Sequence, residues 1–194
     1  MTTQGEQILQ QYMAQQQAQP VSVPPVAMQQ GEGAEQVVPE GQAEKERKIK
    51  ERLVKGLQSL ASACHQLSTQ AHLIHFNYEE SNFISVHEYL KKQYKKHTKQ
   101  FDKLSELVRS LDYLMPMCSK GLTSAYKGFD HVDSYQPGTM LFVYNKNLEE
   151  IAMASKKVIK AAKACDAPDA ENLVSEIMGQ LFETSYFIKS ILRK

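Results

Sequence analysis

Apolar residues recur three and four positions apart along four long stretches of the chain, with polar residues between them. This spacing places the apolar side chains on one face of an α-helix. The stretches cover about residues 45–75, 83–111, 141–165 and 168–191. Amphipathic helices of this length bury their apolar faces against one another, so the pattern predicts an all-α protein built as a four-helix bundle.

Two of the breaks between these stretches are short. The first covers residues 77–82, where Ser81 or Asn82 is a candidate cap for the second helix. The second follows the third stretch, where Asp166 is a candidate cap and Pro168 falls near the first turn of the fourth helix.

The connection between the second and third stretches is much longer. Residues 113–139 contain Gly and Pro at five positions and are too long for a tight turn between helices. The sequence predicts a short helix within this connection, over residues 119–127. The connection is therefore a long crossover that carries a helix of its own.

Residues 1–44 have a different composition from the rest of the chain. They contain twelve glutamines, four of the seven prolines and few large apolar residues. Such a segment buries too little surface to offset its chain entropy, so we predict a disordered, Gln/Pro-rich tail. The domain division is therefore a tail over residues 1–44 and a helical bundle over residues 45–194.

The charge of the chain is unevenly distributed. The formal net charge is +1, but residues 1–44 carry five glutamates and no Lys or Arg, which gives about −5 there and +6 in the remainder. The three cysteines, Cys64, Cys118 and Cys165, have no metal-site spacing, and Cys64 and Cys165 fall on apolar stripes. No segment resembles a signal peptide or a membrane helix, so we expect a cytoplasmic protein.

Candidate metal chemistry is concentrated between residues 72 and 106, which hold four of the six histidines. His75 and His87 flank the first short break, and Asp102 and Glu106 lie one turn apart on the second helix. Imidazole and carboxylate ligands together suit iron or zinc. His87 and Asp102 are about 22 Å apart along one helix, so one ion binds both only if two subunits share it.

Two of the four histidines in this segment, His75 and His97, also have a simpler interpretation. A single histidine at the end of an apolar stripe, as His75 is, is more often a hydrogen-bonded core residue than a ligand. His97 and the lysines around it are predicted to lie on the solvated face of the second helix. A surface His97 invites comparison with phosphotransfer bundles, but its neighbours give that comparison no support.

The motif around the two histidines resembles the Dps family, the miniferritins or DNA-binding proteins of starved cells. His75-Phe-Asn, Asn82-Phe83 and Val86-His87-Glu88 match the family pattern His-Trp-Asn, Asn-Phe, Leu-His-Glu at the same spacing. The resemblance extends over residues 45–194. This sequence departs from the pattern at Phe76, which replaces Trp, and at Glu80, which replaces Gly.

The resemblance implies a ferritin-like bundle with a ferroxidase site between two subunits. His75, His87, Asp102 and Glu106 match four of the five ligand positions, the carboxylates coming from the twofold partner. The fifth position, an acid one turn after the second histidine, is Lys91 here. Whether the protein is a ferroxidase enzyme therefore depends on the effect of this lysine.

Two functions are consistent with this resemblance. The first is a miniferritin that oxidises Fe(II) with peroxide or oxygen, stores ferric iron in a shell of twelve subunits and protects against oxidative damage, with zinc as a competing ion. The alternative is a structural or nucleoid-associated shell whose metal site is vestigial. DNA binding is expected to be weak or absent, because the tail is acidic and glutamates interleave the basic residues near position 48.

A further expectation from the resemblance concerns iron entry. Asp166, Asp169 and Glu171 lie at the start of the fourth helix, where the family has acidic pores on its threefold axes. Acids at the start of a helix also stabilise its dipole, and the sequence leaves both explanations open.

Overall fold

The structure is a computed structural model that describes residues 40–193. This part of the chain is built from helices and contains no strand, which confirms the all-α prediction. The helices are α1 (Glu40–Asn77), α2 (Phe83–Ser110), α3 (Ser119–Ser124), α4 (Pro137–Ala164) and α5 (Pro168–Leu192). None of them is long and apolar enough to cross a membrane.

The four long helices pair as two hairpins. α1 packs most extensively on α2, α4 packs on α5, and α1 also lies against α4. α2 and α5 contact each other over a much smaller area. The predicted four-helix bundle with a long crossover is therefore the observed architecture.

The apolar stripes of the sequence form the bundle core. The largest side chains that are completely or almost completely buried are Leu53, Leu57, Leu60, Leu67, Leu90, Leu104, Leu141, Tyr144, Leu148, Ile151, Ile177 and Leu181. Cys64 is buried among them, and burial raises the pKa of its thiol to about 12. Cys165 is only partly buried, because it is the C-cap residue of α4.

The crossover between α2 and α4 is held to the bundle by side-chain amides. Asn147 of α4 donates to the carbonyl of Asp130 at 2.8 Å and accepts from the amide of the same residue at 2.9 Å. Gln70 of α1 donates to that carbonyl at 3.0 Å and accepts a hydrogen bond from Asn147. The short helix α3 lies where it was predicted but ends at Ser124, three residues early.

The first helix begins earlier than predicted. α1 starts at Glu40, so residues 40–44, which we assigned to the tail, are helical. The rest of the predicted disordered tail, residues 1–39, lies outside the described residues.

Candidate metal centre

The two histidines of the motif face each other across the break between α1 and α2. His75 lies in the last turn of α1, and His87 lies in the second turn of α2. Their rings stack with centroids 3.6 Å apart and planes inclined by 25°. His75 is 6 % exposed and His87 is partly buried, so the pair lies just beneath the surface.

Each histidine is bound to the backbone of the other. The Nδ1 atom of His75 lies 2.8 Å from the carbonyl oxygen of His87, and the Nδ1 atom of His87 lies 3.0 Å from the carbonyl oxygen of His75. A carbonyl oxygen only accepts, so Nδ1 carries the proton and donates in both rings. In the neutral form of each ring, Nε2 then keeps a free lone pair, which is the arrangement that orients histidine ligands in metal sites.

The short break itself is closed by Tyr78 and Asn82. The hydroxyl of Tyr78, which is nearly buried, donates to the side-chain oxygen of Asn82 at 2.9 Å. Asn82 is the N-cap residue of α2, as the sequence allowed, but its side chain makes no capping hydrogen bond. Because that oxygen accepts its hydrogen bond from Tyr78, it stabilises the turn between the helices and does not cap the N-terminus of α2.

Aromatic and apolar side chains surround the histidine pair. His72 stacks on Tyr94 with ring centroids 4.1 Å apart, and its centroid lies 6.0 Å from that of His75. Leu73 and Phe76 are 57 % and 65 % exposed on the same end of α1. The surface formed by α1 and α2 around the histidines is therefore apolar and open to solvent in the single chain.

The two carboxylates do not join the histidines within one chain. Asp102 and Glu106 are exposed on α2, more than four turns beyond His87. Residues 40–193 contain no group of three or more His, Cys, Asp or Glu residues placed to hold a metal ion. One chain therefore carries the two histidines at one end of this surface and the two carboxylates at the other.

Lys91 lies one turn after His87 and is partly buried. Its Nζ atom is 3.5 Å from Oε1 of Glu88, one turn back on the same helix. Both side chains are about half exposed, so this ion pair stabilises the helix by about 0.5 kcal/mol at most. The ammonium group is therefore only weakly held by Glu88.

The acids at the start of α5 have separate environments. Asp166 is exposed and has a positive φ of 49°, because it follows the C-cap of α4 in a left-handed conformation. The N-cap of α5 is Ala167, with no side-chain cap, so the prediction of Asp166 as the cap is wrong, whereas Pro168 does occupy the first turn. Asp169 is exposed in the first turn, and Glu171 forms a 3.2 Å ion pair with Lys163.

His97 is in the bundle core, so its predicted surface position is wrong. It has no exposed area, and its ring lies between the hydroxyl of Tyr144 and the side-chain oxygen of Gln100, each at 2.8 Å. Burial lowers the pKa of His97 to about 4, a shift that Gln100 opposes by its hydrogen bond. A surface phosphotransfer role for this residue is excluded.

The sequence interpretation passed over two histidines of the same surface, His65 and His72. They precede His75 by ten and three positions on α1. Helical spacing puts His72 on nearly the same face as His65 and His75. Both line a groove between α1 and α2 together with Asp102. Helical spacing from His75 was the signal that could have identified them.

Comparisons with known proteins identify the fold of this chain. A model of the ferritin-like domain family matches residues 54–194. A comparison with curated protein sequences finds no significant match.

Solved structures of Dps proteins share the fold at low sequence identity. Dps from Thermosynechococcus elongatus has a TM-score of 0.74 and 15 % identity, with 77 % of this chain and 96 % of that chain covered. Dps from Vibrio cholerae O1, described as a member of a superfamily of ferritin-like diiron-carboxylate proteins, has a TM-score of 0.70 and 14 % identity, covering 75 % and 92 %. A Dps homologue from the archaeon Halobacterium salinarum has a TM-score of 0.71 and 19 % identity, covering 76 % and 82 %.

Proposed function

This chain belongs to the ferritin-like domain family and has the fold of the Dps proteins, and on that premise we propose that it is a miniferritin. It binds Fe(II) as its substrate at a site shared by two subunits, oxidises it with peroxide or oxygen and stores the ferric product inside a protein shell. This reaction removes Fe(II) and its oxidant together, which protects against oxidative damage.

The reciprocal hydrogen bonds between His75 and His87 carry this proposal. They fix both rings with Nδ1 protonated and both Nε2 lone pairs available. In residues 40–193 neither Nε2 atom has a hydrogen-bond partner, so both are available to a metal ion. The same arrangement supports zinc as a competing ion, because Zn²⁺ also prefers imidazole and carboxylate ligands.

The carboxylates of a second subunit complete the site. Asp102 and Glu106 are exposed and lie one turn apart, so both are available to a facing chain. In that position they provide negative charge, which stabilises Fe(III) more than Fe(II) and thereby favours oxidation. The imidazole nitrogens hold the ion in place without adding charge.

The exposed apolar residues around the site support assembly. Leu73, Phe76 and Ile84 are each more than half exposed, and burying them against a second chain removes apolar area from water. We propose a closed oligomer of twelve subunits with the sites at its twofold interfaces. Light scattering at micromolar concentration tests this, and a 22.0 kDa monomer would contradict both the shell and the shared site.

DNA binding is proposed to be weak or absent. Two of the basic residues at the start of α1 are paired with neighbouring acids: Arg47 with Glu44 and Glu51, and Lys48 with Glu44. A cation that is already paired releases less counterion from a phosphate backbone.

The three cysteines are free thiols, which fits the reducing conditions of the cytoplasm.

Substitution of the histidines by asparagine tests the metal site directly. The side-chain amide of Asn reproduces an Nδ1–H donor but offers no nitrogen lone pair at the position of Nε2. We expect His75→Asn and His87→Asn to keep the fold and lose Fe(II) binding and ferric absorbance growth. His131→Asn, a change at an exposed histidine of the crossover, is the matched control and should behave as the parent.

The alternative, a structural shell with a vestigial site, is favoured by one observation: the fifth ligand position, one turn after His87, is occupied by Lys91. It predicts assembled shells that bind no stoichiometric Fe(II) in the parent protein. Stoichiometric Fe(II) binding that is lost in His87→Asn decides for the miniferritin.

A further inference from the structure

We propose that His72 of one subunit and His65 of its twofold partner form a second cation subsite beside the His75–His87 centre. The proposal rests on the proposed function, because it uses the arrangement of two chains that the shared centre requires. It adds two imidazole ligands from positions that the family resemblance leaves without a role.

The shared centre fixes how the two chains meet. A twofold axis that brings Asp102 and Glu106 of the partner subunit to His87 crosses α2 halfway between these positions, at about residues 95–96. The two copies of α2 then run antiparallel across the interface, so α1 packs on the partner's α1.

The position of the axis on α1 follows from the contacts between α1 and α2. The hydroxyl of Ser68 lies 2.9 Å from both the carbonyl oxygen of Tyr94 and the hydroxyl of Thr98, so residues 68–69 are level with the middle of α2. His72 and His65 lie about 5 Å along the helix on either side of that point. Rotation about the axis therefore places His72 opposite the partner's His65.

The local environment of both histidines leaves them available to a cation. They line a groove of about 350 Å³ that opens on the α1 and α2 surface. His72 is oriented by its stack on Tyr94, and the ring of His65 packs against Phe101 at 5.5 Å between centroids. No ring nitrogen of either histidine has a hydrogen-bond partner in the described part of the chain.

Asp102 connects the two subsites. It lines the same groove as His65 of its own chain, and in the proposed dimer it also faces the partner's His75 and His87. Its carboxylate would therefore be available to both subsites. The ring centroid of His72 is 6.0 Å from that of His75, so the two subsites are adjacent. Two imidazoles and one carboxylate suit Zn²⁺ and Fe²⁺.

Metal stoichiometry tests the subsite without relying on activity. The full-length apo-protein is dialysed against Zn²⁺ or Co²⁺ under anaerobic conditions, and bound metal is counted per subunit. We expect His72→Gln and His65→Gln each to bind one cation fewer per subunit than the parent, and His131→Gln to match the parent. The Co²⁺ absorption spectrum should lose the bands of one nitrogen-rich site in both variants.

A mixed assembly distinguishes a shared subsite from one within a single chain. When His72→Gln and His65→Gln chains are refolded together, a mixed pair keeps one subsite with both histidines, so about a quarter of the lost binding should return. If no binding returns, or if neither single variant loses a cation, the subsite does not exist. If the parent itself binds no metal and His75→Asn changes nothing, the proposed function has failed instead.

Discussion

The hydroxyl of Tyr144 donates a 2.8 Å hydrogen bond to Nε2 of His97 in the interior of the bundle, joining α4 to α2 where neither side chain reaches solvent. The side-chain oxygen of Gln100 accepts from Nδ1 of the same ring, because the amide group of Gln100 is engaged with Gln180. The imidazole is therefore neutral and bound at both nitrogens. This arrangement makes the fold sensitive to acid.

The first prediction is a loss of stability between pH 7 and pH 5 that depends on His97. The pKa of His97 is about 4 in the folded chain and about 6.5 when exposed, so the unfolded state binds more protons in this window. The free energy of unfolding is therefore highest above about pH 6.5 and falls as the pH is lowered towards 4. Protonation of His97 alone lowers it by about 2 kcal/mol between pH 7 and pH 5.

Urea unfolding at fixed protein concentration measures this dependence. We expect His97→Gln to be less stable than the parent at pH 7 but to lose about 2 kcal/mol less on acidification. His131→Gln removes an exposed imidazole and should retain the parental slope. Equal slopes in all three proteins would mean that His97 is not a neutral, buried group.

The second prediction concerns the attachment of the crossover. Asn147→Ala removes three hydrogen bonds, to the backbone of Asp130 at two atoms and to Gln70, and leaves buried polar groups unpaired. We expect a loss of about 2–3 kcal/mol in unfolding free energy and faster proteolysis between residues 125 and 136.

Asn145→Ala is the matched control, because the side-chain oxygen of Asn145 is buried with no hydrogen-bond partner among the described residues. It should cost less than Asn147→Ala and leave the proteolysis rate near the parental value. A larger effect at Asn145 than at Asn147 would contradict the role given to the crossover bonds.

The third prediction concerns Lys91, which occupies an acidic ligand position of the family. Lys91→Asp replaces a cation near His87 by a carboxylate, and unit charges about 4 Å apart interact by about 4 kcal/mol at an effective dielectric of 20. We expect Fe(II) to bind at least about tenfold more tightly and to be oxidised faster. Lys91→Ala, which removes the repulsion without adding a ligand, should fall between.

Lys92→Asp makes the same change at the next, exposed position of α2 and should leave iron oxidation near the parental rate. Lys91→Asp also places an acid three residues after Glu88. Repulsion between these two like charges lowers helix stability by a few tenths of a kcal/mol. If Lys91→Asp oxidises iron no faster while His87→Asn abolishes the reaction, the lysine points away from the ion.

The fourth prediction addresses iron entry at the start of α5. Neutralising Asp166, Asp169 and Glu171 together, as Asn, Asn and Gln, should slow iron uptake severalfold at low ionic strength, since acids around a pore attract cations. Asp133→Asn, at an exposed acid of the crossover, should not slow it. An unchanged uptake rate with a lower melting temperature would show that these acids serve the helix dipole and the Glu171–Lys163 pair instead.

The long helices were predictable because their apolar residues dominate the periodicity, but the burial of His97 was not recognised. The inward face of α2 passes from Leu90 through Gln93, His97 and Gln100 to Leu104, so polar residues occupy its middle turns. A face assigned from apolar residues alone includes Tyr94 and Phe101 in place of Gln93 and Gln100. Both of these aromatic residues are partly exposed. The steps of three and four from Leu90 to Leu104 contained the signal.

The sequence predicted which residues belong to the candidate site but not how they are arranged. The sequence identified His75 and His87 by their spacing from the break, but not the reciprocal bonds to each other's carbonyl, because these depend on how α1 and α2 meet. It also gave Asp166 as a cap, whereas the chain reverses there through a left-handed residue and Ala167 takes the cap position.

The polar pairs between α2 and α5 restrict the alternative packings that are open to the chain. These helices share little contact area, yet Gln100 binds Gln180 and Gln93 binds Thr184 inside it, and Lys96 and Lys103 pair with Glu183 and Glu176 at its edge. A slide of α5 by one turn would keep apolar residues against apolar residues but would separate all four pairs at once. The register of the bundle is thus selected by hydrogen bonding, and competing registers are penalised even where their apolar packing is adequate.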